Sequence, residues 1–160
     1  MLDQFNNPAN VLAHYETTGA EIIRDVPEVD VFVAGMGTGG TIVGVGQRLK
    51  EYNPRIKIVG VEPSFGDKIP GLRNMSEGFV PEIFDETILD QKLVVRERNA
   101  VDIMKKLFLK EGLSVGVSSG AAMWAALQVA RELKEGTIAV LFPDGGERYL
   151  STKVFSWNGG

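Results

Sequence analysis

Residues 31–45 read Val-Phe-Val-Ala-Gly-Met-Gly-Thr-Gly-Gly-Thr-Ile-Val-Gly-Val, and few architectures accommodate such a stretch. Val31 to Ala34 carries no polar side chain and predicts a buried strand. The chain then breaks into a glycine-rich turn and leaves it as a helix predicted from Thr41 to Tyr52. A strand that feeds a helix through glycines leaves the first N–H groups of the helix without acceptors, all pointing the same way. Together with the positive end of the helix dipole they form an anion site. Gly37, Gly39 and Gly40 place no Cβ in the path of a ligand, and Thr38 and Thr41 add hydroxyl donors. The stretch therefore predicts a phosphate over Gly37 to Thr41.

Two ligands compete for that phosphate site. Gly35-x-Gly37-x-x-Gly40 satisfies the dinucleotide fingerprint, and Glu62 ends the next strand at the distance expected of a ribose-binding acid. This reading gives an NAD-binding Rossmann domain. In the other reading, Gly-Thr-Gly-Gly-Thr cradles a single phosphate monoester. A tight turn with no ligand is the third possibility.

Composition narrows the partners. A chain of 160 residues is one ordinary domain with room for a core. The net charge of −4 and the lack of a basic stripe argue against nucleic acid and anionic membranes as partners. With no cysteine and one histidine, His14, neither disulfides nor a thiolate or histidine-rich metal site is expected. No apolar run approaches the length of a membrane span and no secretory pattern opens the chain, so a cytoplasmic protein is the expectation.

In chain order, Asn7 reads as an N-cap with Pro8 in the first helical turn, and a helix is expected from Pro8 to Thr18. His14 lies in it and reads as structural rather than catalytic. Gly19 is expected to end or interrupt this helix, with a second short piece from Ala20 to Arg24. After the glycine turn and its helix, stopped by Asn53-Pro54, residues 56–62 form a second apolar strand. Strand, helix and strand in so short a span imply a parallel sheet. Residues 63–90 have no period and hold several prolines and glycines; a loop this long in a compact domain is usually functional. A strand over 89–97 follows, then an amphipathic helix over 99–111 with Val101, Met104, Leu107 and Phe108 on its core face. Leu113 to Gly120 reads as a second strand-to-helix turn, leading into an alanine-rich helix over 121–134. A strand over 137–142 and a loop from Pro143 to Thr152 complete the domain, assigned to residues 1–155, with 156–160 as a tail. The sum is an open, mostly parallel α/β sheet with helices on both faces, its ligand at the carboxyl ends of the strands.

Four motifs carry a resemblance: Gln-Phe-Asn-Asn-Pro-Ala-Asn at 4–10, Gly-Thr-Gly-Gly-Thr at 37–41, Gly-Val-Ser-Ser-Gly-Ala-Ala at 116–122, and Glu-Arg-Tyr-Leu-Ser-Thr at 147–152. In this order and separation they resemble the C-terminal part of the cysteine synthases, fold-type II pyridoxal-phosphate enzymes. The resemblance implies that Gly37, Thr38, Gly39, Gly40 and Thr41 hold the 5′-phosphate of pyridoxal 5′-phosphate and that Ser118 faces its pyridine nitrogen. Ser118 could equally serve as a helix N-cap. It places Gln4 near the substrate carboxylate, where a turn or capping role is the alternative. Glu62 loses its ribose role, since this family binds no dinucleotide. Arg73 stands where many acetylserine-using members have a small residue, and a guanidinium fork matches an anionic leaving group such as that of O-phosphoserine. A surface arginine is the alternative. Asp144 lies in the loop that borders the cofactor ring in the family. The implied activity is β-replacement on O-acetylserine or O-phosphoserine with a sulfur donor (sulfide, thiosulfate or a carrier thiocarboxylate), in an assembly that is a homodimer by family habit.

The family's lysine that carries the cofactor lies in an Asn-Pro-x-x-Ser-x-Lys-Asp-Arg segment, followed by a Thr-Ser-Gly-Asn loop, and neither string occurs in these 160 residues. Lys50 and Lys68 sit in no matching context, so no catalytic residue is assigned. The expectation is a cofactor half-site that needs the family's N-terminal portion, as a fragment, a truncated product or one half of a complementing pair. A non-catalytic binding module on the same scaffold is the alternative.

Overall fold

The computed structural model describes residues 3–152, so the tail assigned to 156–160 lies outside the described residues. Its centre is a parallel sheet of β1 (Val29–Gly35), β2 (Lys57–Pro63), β3 (Gln91–Val95) and β4 (Thr137–Val140), in the order β3-β2-β1-β4. β1 lies in the middle, pairing Val33 with Val59 on one side and with Val140 on the other. Its apolar run reads continuously because both faces are covered. Side chains alternate across a strand, so Val31 and Val33 enter one core while Phe32 and Ala34 enter the other.

Among the described residues, five α-helices supply the covers. On one face lie α4 (Glu97–Glu111) and α5 (Val117–Glu132), which contribute Ala100, Met104, Ala121, Ala122, Ala125 and Val129 to the core. The alanines let α5 approach the sheet closely. On the other face α3 (Gly40–Tyr52) packs Ile42, Val43, Val45 and Leu49 against Phe32 and Ile58. Outside α3 lie α1 (Ala9–Glu16) and α2 (Thr18–Asp25). The result is the expected three-layer α/β arrangement. Among the described residues no helix is long and apolar enough to cross a membrane.

Local boundaries differ from expectation in instructive ways. The first helix breaks at Thr17, not at Gly19, which lies inside α2 and is buried against Arg48. The N-cap position falls on Pro8 rather than Asn7, and Asn7 Oδ1 accepts the Ala9 N–H at 2.9 Å from one residue further back. Residues 113–116 are not a strand: Val115 makes a single antiparallel bridge to Gly145, and α5 already begins at Val117. The long loop 63–90 is nailed down rather than loose. Asn74 donates to Pro63 O at 2.9 Å, Arg73 N–H to Met36 O at 2.9 Å, and Asp90 accepts the Ile58 N–H at 2.7 Å.

Candidate active site at the sheet switch point

Chain direction reverses at β1. α3 leads from it to β2 on one side, while β4 arrives on the other from the far edge. Ligands of open α/β sheets occupy the crevice outside such a reversal. A cavity of about 240 Å3 lies there, lined by Gly35, Gly37, Thr38, Gly39 and Thr41 after β1, by Gly71 and Leu72 of the long loop, by Ser118, and by Leu141, Pro143 and Asp144 after β4. The turn after β1, the start of α5 and the loop after β4 thus converge on one space, although the second of these follows no strand.

The cradle itself is the entry to α3. Gly39 is its N-cap residue at φ 95°, a left-handed conformation that a side chain would strain. As at any helix start, the first amides of α3 have no acceptor in an earlier helical turn, and the Gly40 N–H reaches Thr38 Oγ1 at 3.4 Å. Thr38 and Thr41 stand beside these amides and line the same wall. Donors and dipole of this kind are chemically suited to an anion.

Opposite, Ser118 is 3% exposed and lines the cavity from the first turn of α5. It is not the N-cap, which is Gly116. Its hydroxyl has no hydrogen-bond partner among the described residues. The loop after β4 is stitched to this helix start. Gly116 N–H donates to Asp144 O at 3.0 Å, and the Tyr149 hydroxyl donates to Asp144 Oδ2 at 2.9 Å. Burial, reinforced by the Asp144 carboxylate, pushes the Tyr149 phenol up to about 12, so it stays a donor. Asp144 Oδ1 is buried without a partner among the described residues.

A side recess of about 390 Å3 shares Gly37, Thr38, Gly71 and Leu72 with the main cavity and adds Gln4, Phe5, Arg73 and Phe79. Gln4 and Arg73, far apart in sequence, therefore line the same recess beside the cradle. The Arg73 guanidinium lies over the Phe79 ring at 4.1 Å and the Phe5 ring at 5.4 Å, and these two rings meet edge to face at 5.2 Å. Its Nε and Nη1 are buried with no partner among the described residues. A guanidinium clasped by two rings and with unused donors among the described residues is chemically able to take an anion. The aromatic pair was not visible in sequence, because Phe5 and Phe79 belong to no shared pattern.

Glu62, the expected ribose acid, is 3% exposed and accepts the Met75 N–H at 2.8 Å. It serves the loop that carries Arg73, not a ligand. Lys50 lies on α3 about 15 Å from its start by helical rise, paired with Asp90 at 2.7 Å, and no lysine lines either space among the described residues. Two further polar residues reach the cradle from α1. Asn10 contacts Thr38 and His14 contacts Thr41. Their spacing of one helical turn was the available signal, and only in hindsight does it mark a face turned to the site.

Comparison with known proteins identifies the family. A model of the pyridoxal-phosphate dependent enzyme family matches residues 1–144. Cysteine synthase of Aquifex aeolicus (strain VF5) is 48% identical over 97% of this chain and 49% of its own length. Cysteine synthase B of Salmonella typhimurium is 44% identical over 97% of this chain and 52% of its own. Among solved structures, O-ureido-L-serine synthase superimposes with a TM-score of 0.90 at 38% identity, over 98% of this chain and 52% of that one. Cysteine synthase from Entamoeba histolytica gives 0.89 at 36%, over 96% of this chain and 48% of that one. The chain thus spans about half the length of the relatives it matches. Pyridoxal phosphate is this family's cofactor, and a phosphate cradle faced by an unpaired serine hydroxyl suits it: the chain belongs to the pyridoxal-phosphate dependent enzyme family.

Proposed function

We propose that this chain is the cofactor-phosphate-holding part of a cysteine synthase-like β-replacement enzyme, acting on an O-substituted serine (O-acetylserine or O-phosphoserine) and a sulfur donor. The observation that carries the reading is the convergence at one switch point of the Gly37–Thr41 cradle, the unpaired Ser118 hydroxyl and the Gln4–Arg73 recess.

The roles follow from the chemistry of each group. The amides of Gly37 to Thr41 and the hydroxyls of Thr38 and Thr41 bind the cofactor's phosphate and fix its position. Ser118 meets the pyridine nitrogen. A neutral hydroxyl does not hold that nitrogen protonated as a carboxylate would, which favours elimination and replacement over transamination. When bound, the cofactor supplies the electron sink for bond changes at the substrate's α and β carbons. Gln4 hydrogen-bonds the substrate carboxylate. Arg73, with buried Nε and Nη1 lacking acceptors among the described residues, binds a second anionic group on the substrate, which favours O-phosphoserine. The covalent anchor for the cofactor comes from a lysine outside these 160 residues, in a family N-terminal portion, and the working enzyme is a cytoplasmic homodimer.

The test is complementation. The chain alone is incubated with pyridoxal phosphate and desalted; one portion is reduced with borohydride to trap any lysine aldimine, and a separate, unreduced portion is assayed for cysteine from O-acetylserine or O-phosphoserine with sulfide. The same is done after mixing with the N-terminal half of the Aquifex aeolicus cysteine synthase. The expected outcome is no activity alone and cysteine formation in the mixture. A chain that keeps the cofactor on one of its own lysines and turns over alone sinks the half-site reading. In the mixture, Arg73→Ala is expected to lower kcat/KM for phosphoserine by about 10- to 100-fold more than for acetylserine, the worth of a charged hydrogen bond. Equal losses on both substrates would assign Arg73 to packing.

A further inference from the structure

We propose that Asn10 and His14, one turn apart on α1, are positioning residues that set the direction of the cradle's two threonine hydroxyls, so that both hydrogens are offered to the phosphate. The inference rests on the phosphate reading of the cradle and deepens it: an outer layer of the site lies on α1.

Asn10 Nδ2 lies 2.8 Å from Gln4 O and 3.0 Å from Thr38 Oγ1. A backbone carbonyl only accepts, so the amide's NH2 end must face it, and the same NH2 then donates to Thr38. Thr38 Oγ1 also lies 3.4 Å from the Gly40 N–H, a second donor. With donors on both lone pairs, the hydroxyl hydrogen of Thr38 is left for an acceptor in the cavity it lines.

His14 governs the other threonine. Its Nδ1 lies 3.0 Å from Thr18 Oγ1 and its Nε2 3.1 Å from Thr41 Oγ1. Burial holds the ring below the ordinary histidine range, so near neutral pH it carries one N–H between two hydroxyls. Two arrangements exist. Either Nε2–H donates to Thr41 while Thr18 donates to Nδ1, or the chain of bonds runs backwards and the Thr41 hydrogen turns into the protein. An anion in the cradle selects the first, because only then does Thr41 make a charge-assisted bond to it. The geometry is held from behind. The Asn10 side chain packs directly on Gly40, and the α1 backbone around Val11 and Tyr15 packs on Gly44, each position too close for any Cβ.

The test titrates the 160-residue chain with pyridoxamine 5′-phosphate, which lacks the aldehyde that would react with surface lysines, and with unphosphorylated pyridoxamine. His14→Phe and Asn10→Leu are each expected to weaken pyridoxamine phosphate binding about tenfold and to leave pyridoxamine unchanged, with His14→Gln recovering most of the loss by restoring a donor. His14 is the sole histidine of the chain, so its ring nitrogens give unambiguous 15N signals in the unmutated protein. The expected form with pyridoxamine phosphate bound is the Nε2–H tautomer. An Nδ1–H tautomer in the complex, or folded variants with undiminished affinity, would overturn the proposal while leaving the cradle intact. A chain that binds the phosphorylated and unphosphorylated compounds equally would overturn the cradle reading itself, and this proposal with it.

Discussion

Glu62 stands where a ribose-binding acid would, yet its carboxylate is buried and holds the Met75 N–H, with Lys92 Nζ 3.8 Å away. Through Met75 it fixes the segment that presents Arg73. Glu62→Leu strands a buried backbone donor and is expected to cost about 1–3 kcal/mol by urea unfolding. Glu62→Gln, which keeps an acceptor, should cost far less, and hydrogen exchange over residues 72–77 should quicken only in the leucine variant. Equal stability of the two variants would show that the Met75 contact contributes nothing. The acid's spacing from the glycines was legible in the sequence, but its partner was not, because Met75 lies 13 residues further along in an aperiodic loop. His14 offers a second check. Burial lowers its folded pKa, and the ring's partners, Thr18 and Thr41, are uncharged. The unfolded chain therefore binds the proton more readily. The stability this group contributes is present above the unfolded value of 6.5 and is lost as pH falls through and below it. Thermal melts between pH 7.5 and 5.5 should show a downward slope that His14→Gln flattens; parallel slopes would remove His14 as the cause.

α1 and α3 cross so closely at Gly44 that an added Cβ would strike Val11 O and approach the Tyr15 N at 2.9 Å and His14 Cβ at 3.0 Å. Two of these neighbours are backbone, which no rotamer change can move aside. Gly44→Val gains a few tenths of a kcal/mol of helix propensity but incurs an overpacking cost of about 1–3 kcal/mol, so the net effect is destabilising. Displacing α1 also carries Asn10 and His14 away from Thr38 and Thr41. The variant should therefore lose phosphate-ligand affinity beyond what its lowered melting temperature explains, measured by titration well below that temperature. Unchanged affinity would mean that α1 merely covers α3. The existence and type of these elements were legible, since β1 and β2 are built on the apolar stretches 31–34 and 58–61 and α4 has a clear helical period. Their ends were not. Gly19 reads as a breaker but is used for close packing on Arg48, and the break falls instead at Thr17. The valines at 115 and 117 suggest a strand, yet tertiary pairing allows only the bridge to Gly145 before the helix starts. The cradle was legible because its donors are local in sequence. The recess was not, because it joins Phe5 to Phe79 across the fold.

The two edges of the sheet are unlike. β3 carries Gln91 and Lys92, the kind of polar and charged residues that keep an edge from pairing with another chain, and Lys92 binds Glu86 at 2.8 Å. β4 reads Thr-Ile-Ala-Val, without a charge, and each of its residues is only partly buried. Parallel strands are normally covered on both faces, so a half-covered terminal strand is an unfinished surface. Beside it Ile103, Leu113, Met123, Leu127, Ile138 and Phe142 line an open groove between β4 and the helices α4 and α5. An uncharged edge next to an apolar groove drives association. The 160-residue chain is therefore expected to self-associate with rising concentration in sedimentation velocity, and Leu127→Glu, on the helical rim of the groove, should shift it toward monomer without changing its circular dichroism. If the groove and edge are the surface that a cysteine synthase N-terminal half covers, adding that half must replace self-association by a one-to-one complex, and Leu127→Glu must weaken both. A chain that stays monomeric at its solubility limit would show that β4 is adequately protected as it stands. Self-association that persists undiminished beside the N-terminal half would place the two contacts on different surfaces.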